Sequence, residues 1–417
     1  MDRLLPVSVP ARFFAAGLGF HLLAWLAVAA TAEWIPGFAG GLGPPLAALH
    51  LLTLGALCMV TIGALLQILP VALKTHLPSP CAPRVVFWML LVGVPLLSWG
   101  MASGRTISLS LGGMAVSAGL LVFAAIAGRL LLHARGSWLV TVHVWASLAA
   151  LLALVVLGLA LLGDFVHGWL PDHAALAGIH LAVASYGFLG LLILGLSQVL
   201  VPMFALSPNP STRLGWAALG LALGALALVC TGLAVPGATV GLAAALVHAL
   251  AMLLALRRRV RRRLGPSFAM IALGWAMLPT SLILGGMLAA GALPARLAPL
   301  FGLALIGGWL LSTVLGMLMR ILPFLATLHA TKNGRRVSHI AALGDERLLW
   351  IQVMAHLVAL LLVGLGAGLE RAALISIGAL VGAAGAGAFL LFAALVFRRG
   401  RILSPRGRAG DLAKESA

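Results

Sequence analysis

Twelve stretches of this 417-residue chain are long, apolar and nearly free of charge, and no other feature limits its fold so tightly. Crossing ~30 Å of hydrocarbon as an α-helix takes about 20 apolar residues. The runs fall at 11–36, 45–73, 85–103, 106–132, 137–163, 174–204, 212–234, 237–257, 267–290, 298–328, 347–369 and 372–397. In lipid every backbone N–H and C=O must find its partner inside the protein, so each run is read as a helix. Composition closes off the alternatives. Hydrophobic residues make up 62% of the chain and charged residues 9%, against roughly 25% charged in soluble domains. That excludes a water-soluble core with a polar coat, and disorder as well. There is one tyrosine and no strict alternation, so a transmembrane β-barrel does not fit. The first run outlasts the roughly 7–15-residue apolar core of a signal peptide and is kept as a helix. The predicted class is an all-α integral membrane protein with twelve spans and no soluble domain.

The net charge of +18 would suggest nucleic acid in a soluble protein. Here the basic residues sit at the ends of apolar runs, where they orient helices in the bilayer. With the amino terminus in the cytoplasm, every Lys and Arg except Arg105, Arg296 and Arg371 falls on the inner side. A bacterial inner-membrane protein with both termini cytoplasmic is therefore expected. The cluster Arg257–Arg258–Arg259–Arg261–Arg262–Arg263 lies at the membrane face. It points to anionic lipid as partner rather than nucleic acid. Cys58, Cys81 and Cys230 are scattered and form no CxxC, so neither a disulfide framework nor a zinc knuckle is suggested.

Three of the runs share a spacing. Gly55, Gly63 and Pro70 in the second run follow G-x7-G-x6-P. So do Gly187, Gly195 and Pro202 in the sixth, and Gly308, Gly316 and Pro323 in the tenth. Each is the second of a set of four, which divides the chain into repeats near 1–135, 136–264 and 265–417. Glycines at this spacing allow close helix contact, and the proline is expected to end or kink the inner turn. Helix 1 carries His21 and helix 5 His143 where helix 9 has Trp275, a weaker correspondence.

Twelve helices in three groups of four resemble the plan of subunit I of heme–copper oxidases and nitric oxide reductases. The segment from His50 through Gly55 and Gly63 to Gln67 and Pro70 looks like helix 2 of short oxidase-like and NnrS-like relatives. The resemblance implies b-type heme, with His50 as a low-spin heme ligand, and copper, with His180 as a copper ligand. It also implies partners among other respiratory membrane subunits. The family's remaining ligands are missing. Residues 212–234 and 298–328 contain no histidine, and His329 lies at the inner end of the tenth run. The tryptophan–histidine–alanine–histidine–glutamate segment associated with NnrS is also absent. A complete oxygen-reducing site is therefore not expected.

Polar groups within a bilayer are costly and usually functional. Six histidines qualify: His21, His50, His143, His180, His248 and His356. At 1.5 Å per residue, His50 and His180 lie about 8–9 Å below the outer face, on helices running the same way. Two imidazoles at one depth can clamp a heme iron, which makes His50 and His180 the expected cofactor pair. His21, His248 and His356 fall near mid-bilayer, with His143 somewhat lower, and could hold a second heme or copper. His76, His133, His167, His173, His329 and His339 are expected at solvated interfaces. Gln67 and Gln198 are expected to hydrogen-bond across helices, Arg320 to snorkel to the inner face, and the methionines to fill gaps rather than bind copper. No carboxylate lies in the core of any run, which argues against a proton pump or proton-coupled antiporter. The expected function is that of a heme, or heme and copper, membrane protein in respiratory electron transfer or nitrogen-oxide stress. The rival is a non-catalytic scaffold or small-molecule transporter whose histidines only pack.

A reporter fused after Arg263 should read cytoplasmic, because the inner bias of the basic residues requires it. Periplasmic activity there would refute the twelve-span orientation.

Overall fold

The twelve apolar runs emerge as twelve helices long and apolar enough to cross a membrane. The computed structural model describes residues 6–72, 74–75, 80–332 and 343–402; His76 and His339 lie outside them. The first group is α1 (Ser8–Ala30), α2 (Pro44–Val71), α3 (Cys81–Ser103) and α4 (Thr106–Leu132). The second is α5 (Trp138–His167), α6 (His173–Ala205), α7 (Thr212–Cys230) and α8 (Ala234–Arg257). The third is α9 (Gly265–Ala289), α10 (Ala295–Ala330), α11 (Glu346–Gly368) and α12 (Ala372–Gly400). No strand occurs among the described residues. The first helix stops six residues before the expected end, because 31–36 leave the α-helix through a 3₁₀ turn at Ala32–Trp34.

Hairpins α3–α4, α7–α8 and α11–α12 form the outer wall. Junctions of α4 with α5, α8 with α9, and α12 with α1 join them into a closed ring. Inside stand α2, α6 and α10, the three most buried spans, with α10 touching both others. The turn between α3 and α4 is short because Gly104 takes φ +69°, a left-handed conformation that costs glycine nothing. Gly100 and Gly112 then face the backbone of Leu109 and Leu97, so the two helices touch main chain to main chain.

Lipid is as apolar as leucine, so helices associate here through close packing rather than escape from water. The glycines of G-x7-G-x6-P do this at each entry into the interior. A Cβ at Gly55 would sit 2.7 Å from Phe20 of α1, and one at Gly63 2.6 Å from Phe13. One at Gly187 would sit 3.0 Å from Ala150 of α5, and one at Gly195 would strike His143. Gly308 and Gly316 receive Met277 and Met270 of α9, at 2.7 and 3.0 Å. Each pair of receiving residues is seven apart, two helical turns. In this packing His143 stands where α1 has Phe13 and α9 has Met270. His21 is one residue past Phe20, so the likeness of His21, His143 and Trp275 in sequence is not a likeness of place. Met270 and Met277 fill space against glycine, as the packing reading of the methionines expects.

Each inner helix also contains a π-helical stretch: Leu51–Cys58 in α2, Val183–Gly190 in α6 and Leu303–Leu311 in α10. Such stretches are rare and normally about one turn long, frequently at functional sites. All three include the first glycine of the motif. Pro70, Pro202 and Pro323 lie inside helical segments that continue to Ala72, Ala205 and Lys332.

Gly195→Val should lower stability by about 1–3 kcal/mol, because the added methyls meet the root of His143. Gly220→Ala, with open space beside it, should be neutral or slightly stabilising. Thermal unfolding of both variants in detergent checks the contrast.

Candidate functional site

The interior histidines gather in twos, each two on different helices. His21 of α1 lies within electrostatic range of His356 of α11, His143 of α5 within that of His248 of α8, and His50 of α2 within that of His180 of α6. His21, His143, His248 and His356 are fully buried, while His50 and His180 are half-buried.

The π-helical stretch of α10 helps set the first pair. Ser312, which follows it, bonds back five residues to the carbonyl of Gly307 (3.1 Å) and also meets His356 Nε2 at 2.9 Å. Trp25 of α1 donates its indole N–H to His21 Nε2 at 3.0 Å, and its ring lies 6.4 Å from that of His356. Gly382 of α12 gives this tryptophan its room. The Nδ1 atoms of His21 and His356 are buried without a protein partner. Four residues before His356, Gln352 carries a buried Oε1 in the same condition.

The second pair is joined through α6. His143 packs against Gly195, and Ser197, two residues on, shares a 3.2 Å hydrogen bond with His248 Nε2. His143 Nδ1 lies 2.8 Å from the carbonyl of Leu139. A carbonyl only accepts, so Nδ1 carries the proton and Nε2 keeps a free lone pair. That Nε2 is buried and unpartnered, as is Nδ1 of His248.

The third pair sits just before the π-helical stretches of α2 and α6. His50 Nδ1 meets the Leu46 carbonyl at 3.0 Å, which leaves Nε2 as the available nitrogen here too. His180 Nδ1 is buried without a partner, and its ring edge approaches the α5 backbone at Gly158.

These donors suit a metal or heme iron in kind, since an imidazole whose N–H is tied to a carbonyl presents its other nitrogen to metal. They suit it unequally in number. Two imidazoles are the number that the axial positions of a heme take. Among the described residues no three His, Cys, Asp or Glu side chains converge to hold a metal ion, so a three-ligand copper centre has no donor set there. The packing around the pairs is close. The two best-formed cavities, about 60 and 10 Å³, include none of the six histidines, whereas ligand pockets span roughly 300–1,000 Å³.

Other expected residues fall differently. Gln67 and Gln198 are buried, yet neither amide nitrogen has a protein partner, so the cross-helix bonds expected of them do not form. His329 is buried rather than solvated. His173 pairs with Asp164 at 2.7 Å beside Phe165, and the same carboxylate accepts from the Leu170 amide. Arg320 bonds the Leu264 carbonyl and lies within electrostatic reach of Glu346, so it is held in the protein instead of reaching freely for the interface. Tyr186 turns away from His180, stacks on Trp309 at 5.4 Å and meets Ser281 at 3.0 Å. The serines at 197 and 312 carry no mark in the sequence beyond being hydroxyls in apolar runs.

Neither a family model nor a curated protein matches this chain.

The Trp25–His21 bond is the clearest polar link within one helix of the site. Trp25→Phe and His21→Leu should be non-additive by about 0.6–1.7 kcal/mol, the range of such bonds inside membranes. A double-mutant cycle on thermal unfolding measures it, and strict additivity would show that the bond contributes nothing.

Proposed function

We propose that this chain is a multi-pass membrane protein that binds b-type heme through paired imidazoles, acting in respiratory electron transfer or in the response to nitrogen-oxide stress. The observation that carries this reading is the pairing itself. Six histidines in twelve apolar helices come together two by two, and five of them keep a buried ring nitrogen without a protein partner. Imidazole at such depth is costly unless it is used. His50 and His180 form the preferred pair. The Leu46 carbonyl fixes the tautomer of His50, and both residues keep some exposed surface. Bound heme would supply one-electron chemistry. The chain would supply axial nitrogens, a water-poor surround and a fixed orientation. Copper could find two imidazoles at a pair. The arginines at 257–263 fit anionic headgroups of the inner leaflet in a bacterial inner membrane, and another respiratory subunit would be the natural electron partner.

A second reading is favoured by one observation, the close packing of His143 on Gly195 and of His180 near Gly158. In it the histidines lock helices together through Ser197, Ser312 and Trp25, and the protein is a scaffold or small-molecule transporter without a redox group.

Absorption spectra of the purified full chain separate the two. A Soret band lost or altered in His50→Ala and His180→Ala, but not in His133→Ala, is the expected result; His133 is exposed and bonded only to its own helix. An unchanged low-spin spectrum in both variants would remove the outer pair, and a colourless protein that does not take up hemin would favour the scaffold.

A further inference from the structure

The larger cavity lies where the three inner helices meet, and its wall has a symmetry that a packing defect would not need. In α2 it is lined by Val60, Thr61, Ala64, Leu65 and Ile68. The same pattern of positions, i, i+1, i+4, i+5 and i+8, recurs in α6 from Leu192 and in α10 from Thr313, with Leu189 the single addition. No other helix contributes. Each stripe starts two residues after its π-helical stretch ends, so the three helices present equivalent faces to one axis.

The wall is apolar. Ser197 spends its hydroxyl on Leu194 and His248, Thr313 spends its own on the Trp309 carbonyl, and neither Thr61 nor any other wall residue presents polar surface to the cavity. A water molecule needs two to four polar partners to stay in a cavity, whereas apolar cavities remain dry and take apolar guests. About 60 Å³ exceeds what one water requires, roughly 10–15 Å³, and falls well short of the ~150 Å³ that admits benzene. The space is partly enclosed and suits a guest of a few atoms without charge or strong hydrogen-bonding groups. Trp309, stacked on Tyr186, lies against Gly190, the residue after Leu189 of the cavity wall.

We infer that the meeting point of α2, α6 and α10 is a binding site for a small apolar molecule of the size of a dissolved diatomic gas. The site stands on cavity and symmetry alone and does not depend on heme. Xenon is the probe, because it is apolar, small and heavy enough to be located. Crystals of the full chain under xenon pressure should show an anomalous peak between Ala64, Leu192 and Thr313. Xenon pressure should also raise the thermal midpoint of the wild-type chain, since a ligand that binds only the folded state stabilises it. Ala64→Leu puts a branched side chain into the space and should abolish both effects while the protein stays folded and monodisperse. Leu192→Ala should enlarge the space and retain xenon, which covers the case in which Ala64→Leu fails to fold. Ordered water in the cavity, no peak on the axis, or an equal thermal shift in wild type and a folded Ala64→Leu would each overturn the inference.

Discussion

Close approach between the first and second helix of each group is the contact on which the rest of the structure depends. In a bilayer the backbone must satisfy itself within each helix, so helices are obligatory, but nothing in that rule says how they assemble. Assembly rests on van der Waals fit, and the fit is set where Gly55 and Gly63 take Phe20 and Phe13, where Gly187 and Gly195 take Ala150 and His143, and where Gly308 and Gly316 take Met277 and Met270. These six contacts pull α2, α6 and α10 inward. The outer hairpins then close over them, sealed by Gly382 against Trp25 at the α12–α1 junction.

The positions that receive those glycines hold residues of different chemistry, and this is how one packing scheme gives three unlike surroundings. Phe13 and Met270 are inert fillers. His143 occupies the same kind of place and brings an imidazole into the interior with it. Its Nδ1–H is absorbed by Leu139, one turn back, so the ring enters at the cost of a single unpartnered nitrogen. The same residue thus packs against Gly195 and keeps one ring nitrogen without a protein partner. Packing alone accounts for its burial, and the free lone pair is what packing leaves unexplained.

Much of the fold was legible in the sequence, because apolar length and basic flanks report directly on spans. Helix ends differ by a few residues: α1 stops at Ala30, α5 runs on to His167 and α7 stops at Cys230. A proline near a helix end removes one hydrogen bond without forcing the chain to stop, which is tolerated where neighbouring helices pack around it. The site was half legible. Depth could be counted at 1.5 Å per residue, so it was readable that these six histidines lie within the spans. Azimuth could not, because it depends on helix rotation. His21 therefore paired with His356 and not with its apparent counterpart His143, and Gln67 and Gln198 turned to places without partners. Ser197 and Ser312 were hidden for the same reason.

In α2, α6 and α10 the π-helical stretches put azimuth further out of reach. An α-helix advances by 3.6 residues per turn, and a stretch bonded five residues apart winds more slowly, so every residue beyond it is rotated relative to a count made at constant pitch. His50 and His180 precede their stretches, while Ser197, Ser312 and the stripes that begin at Val60, Leu192 and Thr313 follow them. Within α2 and α6, then, a histidine precedes the stretch and an apolar stripe toward the common axis follows it, while α10 keeps the stripe without the histidine. A straight helix of the same sequence would have to give up one of these alignments. Retaining the stretch in all three inner helices keeps polar pairs and an apolar centre in one bundle of unbroken spans.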